Sequence, residues 1–566
     1  MASERPRSHR LRALFCFVPA ALFALAVACC GDPDPAENER PAPPELESHT
    51  IAFGGDLILG RRLNEAVLDA RHRRRLLGDL KRLLAAAELA VINGEGVVSG
   101  GGRFTYKGES QSYMYRAHPE TVDLLRAAGV DVVMLGNNHS GDYGPEALRE
   151  MLDRLRAAGI GYAGAGHDLD DACRPVYRRL GDTVVAIVGA DLTRTRPARA
   201  RKSRPGTCYH NLFEDDPDDA FEMLKTALDE ARRHAHVVLL GPHWGDNWKR
   251  RPQEPIRELA RRLIAAGFDG IVGHSAHYFQ GAELIRGRPV IYDAGNLLLD
   301  YGGDLEEHRA FLWELEIDRS GVTEARATPL RLKRNRVTHA GAERSEEMLR
   351  ELKRRCAGLD TESALRDGKL VLSCRPGGVA GPRSVSDPPL RGKPDGIRAA
   401  PAHSIVDELP RGVERCEVSW DNGVSLVGKK LLLDAIPPGS GQFVALWWKT
   451  DRRLEDGFKI HLEARHRRRG KSVDNRLASH LPGDWLLPAE RWPPDKLIED
   501  WTLFRLYFPP KGEVGFHTGL WNGKKMLRPS ESSLPVGEDG TVELGRTPYR
   551  EGAPAMFNLL ERWRAE

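Results

Sequence analysis

The sequence predicts an α/β domain built on a largely parallel sheet, followed by an all-β sandwich domain, and three observations carry that prediction. From Thr50 onward, short apolar runs alternate with helical segments. Each of these runs stops at an acid, an amide or an imidazole. Beyond residue 402 helical spacing gives way to closely spaced strand-like segments separated by turns such as Asp-Gly and Asn-Gly.

The elements follow in order. I-A-F-G-G leads to Asp56, L-A-V-I-N-G leads to Glu95, and V-V-M-L-G leads to Asn137, Asn138, His139 and Asp142. V-V-A-I-V-G-A then ends at Asp191, V-V-L-L-G-P at His243, and G-I-V-G at His274, with His277 three residues on. Unbroken apolar runs of this kind suit strands buried on both faces. Pro119 and Pro145 suit first helical positions, and Ala-Ala-Gly closes three helical segments at Gly129, Gly159 and Gly267. Leu148, Met151, Leu152 and Leu155 fall at helical spacing and belong to a core.

Length and composition narrow the classes. A chain of 566 residues with 41% hydrophobic and 29% charged residues is globular and long enough for several domains. A net charge of +3 gives no whole-chain case for nucleic acid. The eight cysteines contain no C-x-x-C pair, so neither a zinc ribbon nor a thioredoxin motif is expected. Cys173, Cys208, Cys356 and Cys374 are available for disulfides in an oxidising compartment, with their pairing open.

The first residues carry Arg5, Arg7, His9, Arg10 and Arg12 ahead of an apolar run at 13–28. That run is shorter than the roughly 20 residues of a membrane-spanning helix and reads as a secretory signal over 1–29. Its ending, Ala26-Val27-Ala28-Cys29, resembles a bacterial lipoprotein signal, with Cys29 as the lipidated residue; an ordinary cleaved signal is the alternative. Either way the expectation is an exported protein of the cell envelope, and the lipoprotein form is anchored to a bacterial membrane. Residues 30–48, rich in Pro, Asp and Glu, read as a solvated tether.

Open α/β sheets place ligands beyond the carboxyl ends of their strands. Asp56, Glu95, Asn138, His139, His243, His274 and His277 all follow apolar runs, so one shared site accounts for them together. Singly, each has a plainer role, such as a helix cap for Asp56 or a hydrogen-bonded core imidazole for His243. Carboxylate, amide and imidazole donors without thiolate suit a divalent metal such as Mn, Fe or Zn.

These residues also carry a resemblance. G-G-D at 54–56, N-G-E at 93–95, G-N-N-H-S-G-D-Y-G at 136–144, H-W-G at 243–245, G-H-S-A-H at 273–277 and Y-D-A-G-N at 292–296 together resemble the CapA family. That family is associated with capsule and poly-γ-glutamate biosynthesis and is related in fold to the calcineurin-like metallophosphoesterases. The likeness runs over 49–375, where G-L-D-T-E-S-A-L-R-D-G at 358–368 resembles the family's ending. It implies a four-layer α/β/β/α domain with Asp56, Glu95, Asn138, His243, His274 and His277 as metal ligands and His139 as the group that protonates a leaving group. One or two ions are implied, because the superfamily's first motif is Asp-x-His and here Leu57 and Ile58 follow Asp56. The final histidines are also spaced by three where the superfamily has two.

Asn137, Asp142 and Asn296 are expected near substrate. The loop after Asp191 holds Arg194, Arg196, Arg199, Arg201, Lys202 and Arg204, a cluster able to steer a polyanion or to form a solvated surface. Residues 376–402 concentrate Pro and Gly and read as a linker, and 403–566 as the β-sandwich accessory domain. Eight of the eleven tryptophans fall in this last region; core packing is their ordinary use and sugar stacking the alternative.

The reading is a metal-dependent, phosphoesterase-like hydrolase acting in capsule or poly-γ-glutamate biosynthesis. Its substrate would be an anionic envelope polymer or a phosphoester, in company with polymer synthesis or export machinery. The alternative is a non-catalytic polymer-binding or export-assembly factor, which the missing Asp-x-His histidine favours. With neither a nucleotide-binding glycine loop nor a G-x-S-x-G elbow, ATP-driven ligation and serine hydrolysis have no support.

Overall fold

The strand His49–Ile58 is the axis of the fold, buried at nine of its ten positions. In the computed structural model the described residues are 46–105, 113–194, 199–299, 309–333, 335–375, 385–400, 404–437, 440–455, 457–466, 472–474, 479–506 and 512–550. The expected signal with Cys29, most of the tether, Arg196 and parts of the expected linker lie outside them.

His49–Ile58 runs parallel to Leu89–Glu95, which is followed outward by the parallel strands Val132–Met134 and Gly161–Ala163. On its other side lies Arg309–Asp318, antiparallel, and then Gly321–Lys333. A second sheet has Val176–Leu180, Thr183–Leu192, Val237–Trp244, Gly270–Val272, Arg288–Ile291 and Ala282–Ile285 in that order, with four parallel strands at its centre. The α/β class read from the alternating runs is present.

Alternation along each strand explains why these runs are apolar throughout. Ala52, Ala90 and Ile92 pack with Leu80, Leu124, Leu148 and Met151 of the helices on one face. Ile51, Phe53, Leu89 and Val91 point the other way and meet Val185, Ile187, Val237 and Leu239 of the second sheet. The far face of that sheet, with Val184, Val188, Val238 and Leu240, is covered by Leu224 and Leu228 of Pro217–His234 and Leu259 and Leu263 of Glu254–Ala266. Each central strand therefore has an apolar partner on both faces.

Beyond residue 404 the described strands pair antiparallel in two six-stranded sheets. Trp447, Trp448 and Trp492 are buried, and Phe443, Ile460 and Phe516 join the same cluster as the first region's helices. Phe104 packs against Phe443 and Trp501, Arg116 pairs with Asp484 at 2.7 Å, and Lys459 pairs with Glu65 at 2.7 Å. The described residues from Leu46 onward form one compact unit. The described part of the expected linker, 385–400, lacks helix and strand and runs along the first region, where Arg391 donates to Asp171 and Ala400 N to Glu150.

Candidate metal and acid–base centre

A β-bulge sets the site. The register between His49–Ile58 and Leu89–Glu95 shifts between Gly54 and Asp56, so the two-residue alternation that sends Ala52 toward the helices is reset. Leu57 then takes the helix side, which turns Asp56 toward the second sheet. Gly55 makes this turn feasible, since a Cβ there would lie 1.8 Å from Gly295 O, the carbonyl that accepts from Asp56 N at 2.9 Å. In Leu89–Glu95, Asn93 and Glu95 share the parity of Leu89 and Val91 and face the second sheet as well.

The side chains converge between the sheets. Asp56 and Glu95 are fully buried, and donor atoms of Asp56, Glu95 and His277 lie within 4.8 Å of one another. His277 Nδ1 is 3.2 Å from Asp56 Oδ2 and its Nε2 is 3.5 Å from Glu95 Oε1. Asn93 Nδ2 donates to Asp56 Oδ1 at 2.7 Å, and His243 Nδ1 lies 4.0 Å from that oxygen. His274 is positioned by a bridge between its backbone and that of His243, with Nε2 3.4 Å from Gly54 O. Its Nδ1 is buried without a hydrogen-bond partner. Ser275 (φ 112°) and His277 (φ 55°) both occupy the left-handed region, a strain that the packing around this turn overcomes.

His139 approaches from the turn after Val132–Met134. Its Nδ1 lies 2.8 Å from Asp142 Oδ2 and its Nε2 3.6 Å from Glu95 Oε1, while its ring packs on Tyr115 at 4.3 Å. Asp142 is itself fixed by Tyr115 N, which donates to the same oxygen at 2.8 Å.

Burial of charge organises the electrostatics. Burial alone would raise the Asp56 carboxyl, but its hydrogen bond to His277 and the fields of His243, His277 and His274 hold it well below the usual carboxylate range. Burial opposes charge on His277, yet Glu95 and the Asp56 hydrogen bond push it up to about 10. Burial pushes His243 down to about 3 and lowers His274, leaving both imidazoles neutral with a lone pair to give. His277, lying between the two buried carboxylates, compensates their charge when protonated, and a divalent cation would do so in its place. The buried His274 Nδ1, together with oxygen and nitrogen donors on both sheets, fits a divalent metal ion.

The other expected residues are distributed around this centre. Asn137 is buried and braces it, donating to Asn93 Oδ1 at 3.2 Å and Gly94 O at 2.9 Å. Asn138 is half-buried in the same turn. Asn296 brackets His277, its Nδ2 donating to His277 O at 3.0 Å and its Oδ1 lying 3.1 Å from Nδ1. Arg194 is bonded to Asp246 at 2.9 Å, and its guanidinium lies 4.3 Å from the Phe213 ring centre. Cys173 and Cys208 form a disulfide, while Cys356 and Cys374 are free and buried.

Three participants lie outside the sequence-derived set. Asn93 was legible as the residue two before Glu95 on the same strand face. Asp293, within Y-D-A-G-N, accepts from Ala276 N and Gly295 N at 2.7 Å each and so shapes the turns holding His277 and Asn296. Burial, with the charge of Asp56, pushes the Asp293 carboxyl far above its usual range. Trp248 is 51% exposed, and its ring centre lies 5.3 Å from that of His277. No periodic pattern marks it.

Comparison with known proteins follows the same residues. The family model described as bacterial capsule synthesis protein PGA_cap matches residues 50–301, a span containing every one of these site residues. The PGA biosynthesis protein CapA of Bacillus subtilis is 26% identical, covering 50% of this chain and 71% of that one. The capsule biosynthesis protein CapA of Bacillus anthracis is 27% identical, over 46% of this chain and 61% of that protein. A Mycobacterium tuberculosis protein named as a probable polyglutamine synthesis accessory protein is 31% identical, over 45% of this chain and 69% of its own length. Among solved structures, the NAD nucleotidase of Haemophilus influenzae aligns with a TM-score of 0.29 and 14% identity, over 56% of this chain and 59% of that one, too loose a likeness to bear weight. The 31% relative, matched over more than two thirds of its length, and the model spanning the whole site agree: the chain belongs to the CapA family of bacterial capsule synthesis proteins.

Proposed function

We propose that this protein is a metal-dependent hydrolase of metallophosphoesterase type that acts in capsule or poly-γ-glutamate biosynthesis at the cell envelope. The observation that carries the reading is the convergence of Asp56, Glu95 and His277 within 4.8 Å, with the His139–Asp142 pair directed at Glu95. Asp56, Glu95, His243, His274 and His277 would hold the metal, with Asn138 from the adjoining turn. A bound divalent ion there supplies Lewis-acid stabilisation of charge developing on a phosphoryl or acyl oxygen. Asp142 accepts a hydrogen bond from the Nδ1–H of His139 and so turns Nε2 toward the centre, where the doubly protonated ring would give its Nε2 proton to the leaving oxygen and be left neutral. Asn296 fixes the ring plane of His277, and Asn137 and Asn93 hold the two carboxylate-bearing strands in register.

The accessory region is read as a β-sandwich that supports the catalytic region, with its tryptophans used as core. Export with a lipid anchor on Cys29 is supported by the signal pattern and agrees with the Cys173–Cys208 disulfide, a bond favoured in oxidising compartments. The relatives' names point to an anionic polymer and its synthesis machinery as partners. The second reading, a non-catalytic polymer-handling factor, is favoured by Ile58 standing where the superfamily's first-strand histidine is found.

Asp56→Asn separates the two. Metal content is measured after equilibration with Mn²⁺ or Zn²⁺, and turnover is followed on a phosphodiester and on a γ-glutamyl polymer. Metal affinity should fall by more than about 100-fold, since loss of even an outer-shell partner costs 10- to 100-fold, and turnover should fall with it. Failure of the native chain to bind either ion, or to turn over either substrate when loaded, would sink the hydrolase reading.

A further inference from the structure

We propose that the opposite end of the same strand carries a second divalent-cation site, suited to Zn²⁺ and formed by His49, Glu47 and Asp182. Donor atoms of these three residues lie within 4.8 Å of one another. His49 is 2% exposed, with Nδ1 2.9 Å from Glu88 Oε2. Its Nε2 is buried, has no hydrogen-bond partner, and stands 3.7 Å from Glu47 Oε2. A neutral imidazole that gives its Nδ1 proton to a carboxylate presents the Nε2 lone pair, and this carboxylate–histidine arrangement is the one that orients zinc ligands. Carboxylates facing that lone pair repel it unless a proton or a metal cation lies between them, and the third carboxylate, Asp182, within 4.8 Å favours the metal.

The surroundings set the composition. Glu47 lies against the turn between Val176–Leu180 and Thr183–Leu192, close enough that a Cβ on Gly181 would stand 2.3 Å from Glu47 Oε2. Asp182 belongs to that turn; its Oδ2 is 2.7 Å from Arg319 Nη2 and its Oδ1 accepts from Thr183 Oγ1 at 3.3 Å. Asp182 thus enters with one oxygen committed to a guanidinium, so at most one of its oxygens serves the ion. One imidazole and two carboxylates make a borderline donor set, completed by water on the open side. Zinc–ligand distances of about 2.0–2.2 Å require the donors to draw closer. The exposed side chains of Glu47 and Asp182, at 58% and 49%, can move to do so.

This site is separate from the first. His49 and Asp56 are seven residues apart on one strand, or about 23 Å at ~3.3 Å per residue. An ion here joins the start of the first sheet to an edge turn of the second, and so fixes where the chain enters the domain.

The test uses the full chain purified without chelator and titrated with Zn²⁺, with bound zinc counted by equilibrium dialysis. His49→Gln keeps an amide donor for Glu88, and the double variant Glu47→Gln, Asp182→Asn changes only exposed side chains. Each should bind one zinc fewer than the native chain, or bind that ion at least tenfold more weakly, while His274→Ala, His277→Ala retains the edge ion. If His49→Gln does not fold, the double variant decides the matter alone. Unchanged zinc number and affinity in the double variant would overturn the proposal and leave His49 as a buried ring bonded to Glu88.

Discussion

His139–Asp142 and His480–Asp500 are the same pair by distance and burial. In each, an imidazole nitrogen lies 2.8 Å from an aspartate oxygen in a buried setting. Their surroundings differ. The second nitrogen of His139 faces Glu95 at 3.6 Å, within the cluster that spans both sheets. His480 instead packs on Trp485 at 5.2 Å, and the other oxygen of Asp500 accepts from Asp484 N, whose side chain pairs with Arg116 of the first region. An aspartate-bound imidazole is therefore an orientation device in both places. What it orients toward differs: a carboxylate and histidine cluster for His139, the Trp485 ring for His480.

The strongest way to break this comparison is to remove both imidazoles in turn. His139→Ala should lower kcat on a phosphodiester by about 10²- to 10⁴-fold with metal content unchanged, the range a positioned general acid supplies. His480→Ala should leave the rate per folded molecule intact but cost about 1–3 kcal/mol in denaturant unfolding, because the buried Asp500 Oδ2 loses its hydrogen-bond partner. Equal effects of the two variants on kcat would erase the distinction. A smaller effect is expected one step out: Asp142→Asn keeps the shape but presents an amide to His139 Nδ1, and kcat should fall by roughly 10- to 100-fold. A loss of stability with no change in kcat would make Asp142 purely architectural.

The sequence exposed much of the clustered site and little of what aims it. Apolar runs ending at Asp56, Glu95, His243 and His274 were legible because strands buried on both faces have no polar positions until their tips. The bulge at Gly54–Asp56 was not legible, since it depends on Gly295 approaching Gly55 from the turn before Asn296–Leu298, about 240 residues later. Without that approach, simple alternation sends Asp56 to the helix side. The pairing of Cys173 with Cys208 was likewise hidden among the candidate cysteines, because it depends on how the segments at Leu169–Ala172 and Gly206–Thr207 meet. Arg194, in the basic run read as able to steer a polyanion, has partners that the run did not show: its charge is bonded to Asp246 and its guanidinium lies over Phe213. Composition registers such a charge but not its local partner.

A third histidine sharpens the comparison with the smallest effect. His167 lies between two carboxylates, Nε2 3.1 Å from Asp153 and Nδ1 3.3 Å from Asp171, with its side chain 28% exposed. The hydrogen bond to Asp171 raises its pKa above the ordinary 6.5, with burial opposing and Asp153 assisting. A proton held more tightly in the folded state than in the unfolded chain stabilises the fold fully below pH 6.5, and that contribution disappears as pH rises through the folded value. Thermal unfolding of the native chain should therefore lose more stability than His167→Gln between pH 6 and the alkaline side of that value. The two curves should run parallel below pH 6, apart from a constant offset. Asp171 does not confuse the window, because its own depressed pKa acts only as pH falls through the acid range. Parallel curves across the whole interval would mean that His167 is neutral in the fold, and that the two flanking carboxylates orient a ring without charging it.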